Sequence, residues 1–171
     1  MTERILRILR RTVRTLKTQL LGGAFVPSHF EMSFQRVEDL DAVNIALSEH
    51  EKMKLKGRID RIDTFEDEEH VYVKVIDYKS GNKKFDLAAL YYGLQLQLVV
   101  YMNVAVEMEK RRNPGKEVVP AALLYYHVAD PLVKEEKELS LEEINDRMLK
   151  ELRTTGIVSA EEPVVSLLDR T

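Results

Sequence analysis

The first pattern along the chain is helical. Ile5, Ile8, Leu9, Val13, Leu16 and Leu20 recur at three- and four-residue intervals with Arg and Lys between them, which predicts an amphipathic helix over 3–21. Gly22-Gly23 stops it. From Phe25 to Phe34 the rhythm changes to alternation, so a strand is expected with Phe30, Met32 and Phe34 on one face. A second extended stretch covers Val43 to Leu47, and the turn at 49–52 leads into a strand from Met53 to Phe65. Acidic residues 66–69 then turn the chain into a strand from His70 to Lys79. Extended segments joined by short turns predict a three-strand antiparallel meander.

Ser80-Gly81-Asn82 ends that run, and helical spacing returns over 86–110 through Leu87, Leu90, Tyr91, Leu94, Leu98, Tyr101 and Ala105. This segment is apolar on most of its circumference, so it is expected to be central. Arg111 to Gly115 ends it, and Val118 to Val128 reads as another buried strand. Ser140 followed by Glu143 has capping-box spacing and opens a charged amphipathic helix to about Arg153. Residues 156–171 show no clear period. The pattern predicts one α/β (α+β) domain over 1–171: an N-terminal helix (1–24), a core (25–131) and a C-terminal helical extension (132–171). Its sheet is expected to be mixed, with four or five strands and flanking helices in the order helix, meander, helix, strand.

Composition narrows the class. With 44% hydrophobic and 32% charged residues the chain is an ordinary globular one. Its apolar runs are too short to span a bilayer, and the basic N-terminus lacks the continuous apolar core of a signal peptide; a cytoplasmic protein is expected. The sequence has no cysteine, so disulfides, thiol catalysis, Cys-ligated zinc and iron-sulfur clusters cannot be built from this chain alone. A net charge of -3 means that any nucleic acid is engaged locally or with help from other chains.

Candidate chemistry gathers in Gly57-Arg58-Ile59-Asp60-Arg61-Ile62-Asp63 and Val75-Ile76-Asp77-Tyr78-Lys79-Ser80-Gly81. On a strand, Asp77 and Lys79 share a face while Ile76 and Tyr78 take the other. An isolated Asp-x-Lys is usually a solvated or salt-bridged pair. Here Val73, Val75 and Ile76 make the strand a largely buried one, so its charges need partners or a function. With the acidic strand end at Asp60 one hairpin away, oxygen ligands and a lysine are set to hold a hard divalent cation, Mg²⁺ with Mn²⁺ as a substitute. Such an ion would activate a water and neutralise charge on a scissile phosphate, with Lys79 orienting or deprotonating that water or stabilising the transition state.

These motifs, with Gln97-Leu98-Val99-Val100-Tyr101 as a Q-x-x-x-Y element, resemble the RecB-like branch of the PD-(D/E)XK nucleases over about 25–131. The runs at 90–97 and 124–131 look most like the nuclease-bearing second subunit of bacterial ATP-dependent helicase-nucleases. The resemblance implies a restriction-endonuclease-like core and Mg²⁺-dependent DNA hydrolysis in break repair and recombination. It makes Asp60 and Asp77 the metal carboxylates, Lys79 the catalytic lysine, and Gln97 and Tyr101 supporting or DNA-contacting residues. Single strands from unwound ends and a helicase-nuclease partner subunit are the implied partners, without a membrane. Two features depart from the family: the first helix offers no His or Glu on a convincing motif, and the cysteines that hold an iron-sulfur cluster in the full-length relative are missing. The chain therefore looks like a piece of a larger subunit.

Other residues carry weaker signals. Glu31 is expected at an exposed strand position, although it could face the cleft as a further acidic group. His29, His50, His70 and His127 lack zinc-site spacing and read as structural or surface residues. Asp63 is expected to face away from Asp60 and pair with Arg61 or Lys74. Lys83-Lys84 could touch a phosphate but reads as a solvated pair. Tyr91, Tyr92 and Tyr101 could stack on bases, but helical spacing favours the core. The main competing function is a non-catalytic DNA-binding or scaffolding module. A phosphatase or small-molecule hydrolase is disfavoured, because neither a Gly-rich phosphate loop nor a His-rich cluster is present.

Overall fold

The structure, a computed structural model, describes residues 2–34, 40, 43–46, 52–81, 84–131 and 140–168. Helix α1 (Thr2–Gly22) precedes strands β1 (Val26–Ser33), β2 (Asn44–Ala46), β3 (Lys52–Lys54), β4 (Arg58–Glu66) and β5 (His70–Lys79). Helices α2 (Leu87–Tyr91) and α3 (Gln97–Arg112) lead to β6 (Glu117–His127), followed by α4 (Leu141–Glu151), β7 (Thr155–Val158) and α5 (Glu162–Leu168). Five strands form one sheet in the order β1-β4-β5-β6-β7, and β2 and β3 form a separate pair. As the hydropathy pattern predicts, β1, β4 and β5 are an antiparallel meander and the sheet is mixed. Strand β6 lies parallel to β5 because the chain crosses over through α2 and α3 before rejoining the sheet.

Alternation on the strands gives each sheet face its own layer. Val71, Val73 and Val75 of β5 join Ile62, Tyr125 and the α3 residues Leu98, Tyr101, Met102, Val104 and Ala105 in the larger core. On the opposite face Ile76, Ala122, Leu124 and Tyr126 pack with Leu16 of α1 and Leu168 of α5. Helix α4 opens on the expected capping box: Glu143 N–H donates to Ser140 Oγ at 3.2 Å, and Ser140 N–H donates to Glu143 Oε2 at 2.8 Å.

The structure corrects several expectations. The strand expected over Met53 to Phe65 is two strands, broken at 55–57. Gly57 allows the break, because a Cβ there would stand 2.4 Å from the ring of the buried Phe34, whose N–H donates to the Gly57 carbonyl at 3.1 Å. The helix expected over 86–110 is likewise two helices. Its first turn ends at Gly93, whose φ of +76° is left-handed and cheap only for glycine. The exposed α2 and the residue that caps it therefore present Tyr91 and Tyr92 at 84% and 75% exposure, not in the core, while Tyr101 is buried as expected. Phe30 does not share a face with Met32 and Phe34: it is exposed, and the left-handed Glu31 (φ +51°) between Phe30 and Met32 breaks the alternation. On α1 only part of the apolar stripe packs inward, and Ile5, Leu9 and Val13 are exposed. Residues 156–171, without a legible period, contain most of the edge strand β7 and all of α5.

Candidate active site

Strand β5 ends beside the start of α3, and that junction brings together four residues selected from the sequence. Asp77 is buried, with its Oδ2 ion-paired to Lys79 Nζ. Gln97, the first residue of α3, bridges them: its Nε2 donates to Asp77 Oδ1 at 3.2 Å, and its Oε1 accepts from Lys79 Nζ at 3.1 Å. Gln97 Nε2 also lies 2.8 Å from the Tyr101 hydroxyl, one helical turn on. The two-residue period of β5 puts Asp77 and Lys79 on the α3 face after Val73 and Val75, and the helix returns the amide to them.

Asp60 reaches the same strand end by another route. The β4–β5 ladder runs as far as Arg61 opposite Ile76. Beyond it the Asp60 carboxylate replaces a ladder carbonyl, with Oδ2 accepting from the Tyr78 N–H at 2.8 Å. Asp60 is thereby fixed within one residue of Asp77 along β5. A residue that the sequence did not single out also enters the geometry. Tyr125 stands opposite Asp77 in the parallel register, and its ring centroid lies 5.2 Å from Lys79 Nζ. Burial pushes its hydroxyl pKa up, against the opposing effect of Lys79. Only the β5–β6 register, which hydropathy does not encode, could have pointed to it.

The secondary candidates lie elsewhere. Glu31 is exposed and paired with Arg58 at 2.8 Å. Asp63 is fully buried on the α1 face, held by Arg61 at 2.5 and 2.7 Å and by Lys74 at 2.9 Å, so it pairs with both expected partners. His29 contacts Arg112 and lies 3.8 Å from Glu109, and burial followed by the Arg112 charge lowers its pKa. His70 packs on the Asp67 turn at 3.3 Å. His50 and Lys83 lie outside the described residues, and Lys84 is exposed.

Among the described residues no three His, Cys, Asp or Glu side chains converge as a ready metal cage. Asp60 and Asp77 nevertheless supply hard oxygen donors at one strand end, which suits an ion that keeps most of its ligands as water and substrate phosphate. None of the described helices is long and apolar enough to cross a membrane.

The arrangement around these residues is a mixed sheet, an Asp-x-Lys strand end and a glutamine at the start of the following helix. The chain belongs to the PD-(D/E)XK nuclease superfamily, whose sequence profile matches residues 1–164. Its relatives include one of the subunits of the ATP-dependent helicase/deoxyribonuclease of Clostridium novyi, 41% identical over 99% of this chain and 15% of that protein. The corresponding helicase/deoxyribonuclease subunits of Lachnoclostridium phytofermentans and Clostridium tetani are 43% and 39% identical, again over 99% of this chain and over 13% and 15% of their own lengths. The chain thus spans a small part of the relatives that it matches.

Proposed function

We propose that this chain hydrolyses DNA phosphodiester bonds with the help of Mg²⁺, or Mn²⁺ in its place, as the nuclease part of a cytoplasmic helicase-nuclease. Its substrate is single-stranded DNA released from unwound ends in break repair and recombination, and a motor-bearing partner subunit delivers it. The observation that carries this reading is the joined Asp77–Lys79–Gln97–Tyr101 network at the end of β5. Asp60 and Asp77 would hold the ion, which when bound supplies an activated water and charge neutralisation at the phosphate. Lys79 keeps one N–H on Asp77 and one on Gln97. The third donor of its ammonium is then available to a phosphate oxygen as negative charge grows there. Gln97 is a positioning residue: it fixes where the ammonium sits and is itself oriented by Tyr101.

The test is cleavage of labelled single-stranded DNA in excess Mg²⁺ or Mn²⁺. Little degradation, at most, is expected from this chain alone, since two carboxylates hold Mg²⁺ weakly and a net charge of -3 gives little attraction for DNA. Lys79→Ala should remove it. Lys79→Arg should not restore it, because a planar guanidinium does not replace a compact ammonium. Cleavage unchanged in Lys79→Ala would refute the assignment, and DNA binding without cleavage at saturating metal would favour a non-catalytic module.

A further inference from the structure

The opposite face of the sheet carries a second polar cluster for which the hydrolytic reading has no use. Between α1, α4 and strands β4 to β7 lies an open cavity of about 710 Å³, within the roughly 300–1,000 Å³ typical of small-ligand sites. Arg61 and Lys74 line it, with side chains only 4% and 13% exposed. They share a single carboxylate, Asp63. Lys150 and Arg153 stand exposed at its rim, and Asp146 is the only acidic residue of the lining among the described residues. Four cationic side chains therefore face two carboxylates.

That imbalance has chemical content. Arg61 directs Nε and Nη2 at Asp63 and Nη1 at the Tyr78 hydroxyl at 3.3 Å, which leaves N–H groups of the guanidinium for another acceptor. Lys74 is buried beside it, and burial lowers its pKa against the pull of Asp63. A second anion would relieve the repulsion between two buried cations that share one counter-charge. A planar fork beside an ammonium suits phosphate oxygens in particular. Ile76, Leu124 and Leu149 give the rest of the wall an apolar surface against which a base or sugar can pack.

We propose that this cavity is a non-catalytic binding site for a phosphate-bearing ligand of nucleotide size, with the phosphate on Arg61 and Lys74 and Lys150 and Arg153 closing over it. The site lies across the sheet from Asp77 and does not depend on the hydrolytic reading. Calorimetric titration in chelator, so that no divalent ion bridges ligand to protein, compares thymidine monophosphate, inorganic phosphate and a short single-stranded oligonucleotide. Saturable binding of the mononucleotide is expected, with weaker binding of inorganic phosphate. The rim variant Lys150→Glu/Arg153→Glu should weaken it roughly tenfold or more without lowering the unfolding temperature, and Lys74→Met should also weaken it. Asp77→Asn should leave it unchanged. The proposal is overturned by no binding of either small phosphate at millimolar concentration, by binding indifferent to both the rim variant and Lys74→Met, or by binding lost in Asp77→Asn. Binding of the oligonucleotide alone also overturns it, since the cavity would then not hold a free nucleotide.

Discussion

The two faces of β4 and β5 hold two buried carboxylates in contrasting company. On the α1 face Asp63 is fully buried and clamped by a bidentate arginine and a lysine. On the α3 face Asp77 is almost as buried, but its ion-pair partner, Lys79, is 18% exposed and shared with a neutral amide. Burial of an acid is common to both and so does not by itself mark a reactive centre. The partners distinguish them. Two cations fixed on one carboxylate make a rigid brace between neighbouring strands, whereas a lysine that reaches solvent and is steered by a glutamine can exchange partners with an incoming anion. The brace also keeps β4 and β5 in register, and that register presents Asp60 to the end of β5.

Breaking the brace should have the largest effect on stability. Asp63→Ala leaves two buried cations uncompensated and is expected to cost about 3–5 kcal/mol, read as a lowered urea midpoint. Unchanged stability would show that the cluster is solvated. Gln97→Leu tests the other face: it should slow cleavage by roughly tenfold, ~1.4 kcal/mol at the transition state, with DNA affinity retained and the pH–rate profile displaced. A proportionate loss of affinity with an unmoved profile would make Gln97 a DNA contact and not a positioning residue. The smallest effect is expected at Asp130, which pairs with Arg7 and Arg11 of α1. Hydrogen bonding to Arg7, then the Arg7 and Arg11 charges, hold its carboxyl below the ordinary 3.8. A folded-state pKa below the unfolded one gives stability that is present above 3.8 and lost as pH falls through the folded value. Asp130→Asn should therefore flatten the acid limb of the stability curve below that pH, and an identical acid limb in both proteins would show that α1 is not held this way.

Much of this contrast was legible in the sequence. Strict alternation along 70–79 placed Asp77 and Lys79 on one face, and the odd separation of Asp60 and Asp63 placed Asp63 with Arg61 or Lys74, as observed. Helical spacing did not reveal that residues 86–110 break at Gly93, because leucine and tyrosine keep the period through a turn that a left-handed glycine imposes. Nor did alternation anticipate the outward Phe30, since a positive φ at a glutamate is a tertiary compromise opposite β4 and not a local preference. Tyr125 was hidden for a different reason. Its place under Lys79 depends on which residues of two parallel strands, separated by a whole crossover, come level.

The division between brace and centre is tested most directly by measuring single-stranded DNA cleavage and unfolding free energy together for Asp77→Asn and Asp63→Asn. The account predicts opposite signatures. Asp77→Asn should lose about 10³-fold in cleavage rate with only a small loss of unfolding free energy, because Lys79 reaches solvent and keeps its bond to Gln97. Asp63→Asn should lose several-fold more stability than that while retaining, below its unfolding temperature, a cleavage rate within about tenfold of the parent. Wild-type cleavage in Asp77→Asn, or equal loss of activity in both variants at equal folded fraction, would contradict it.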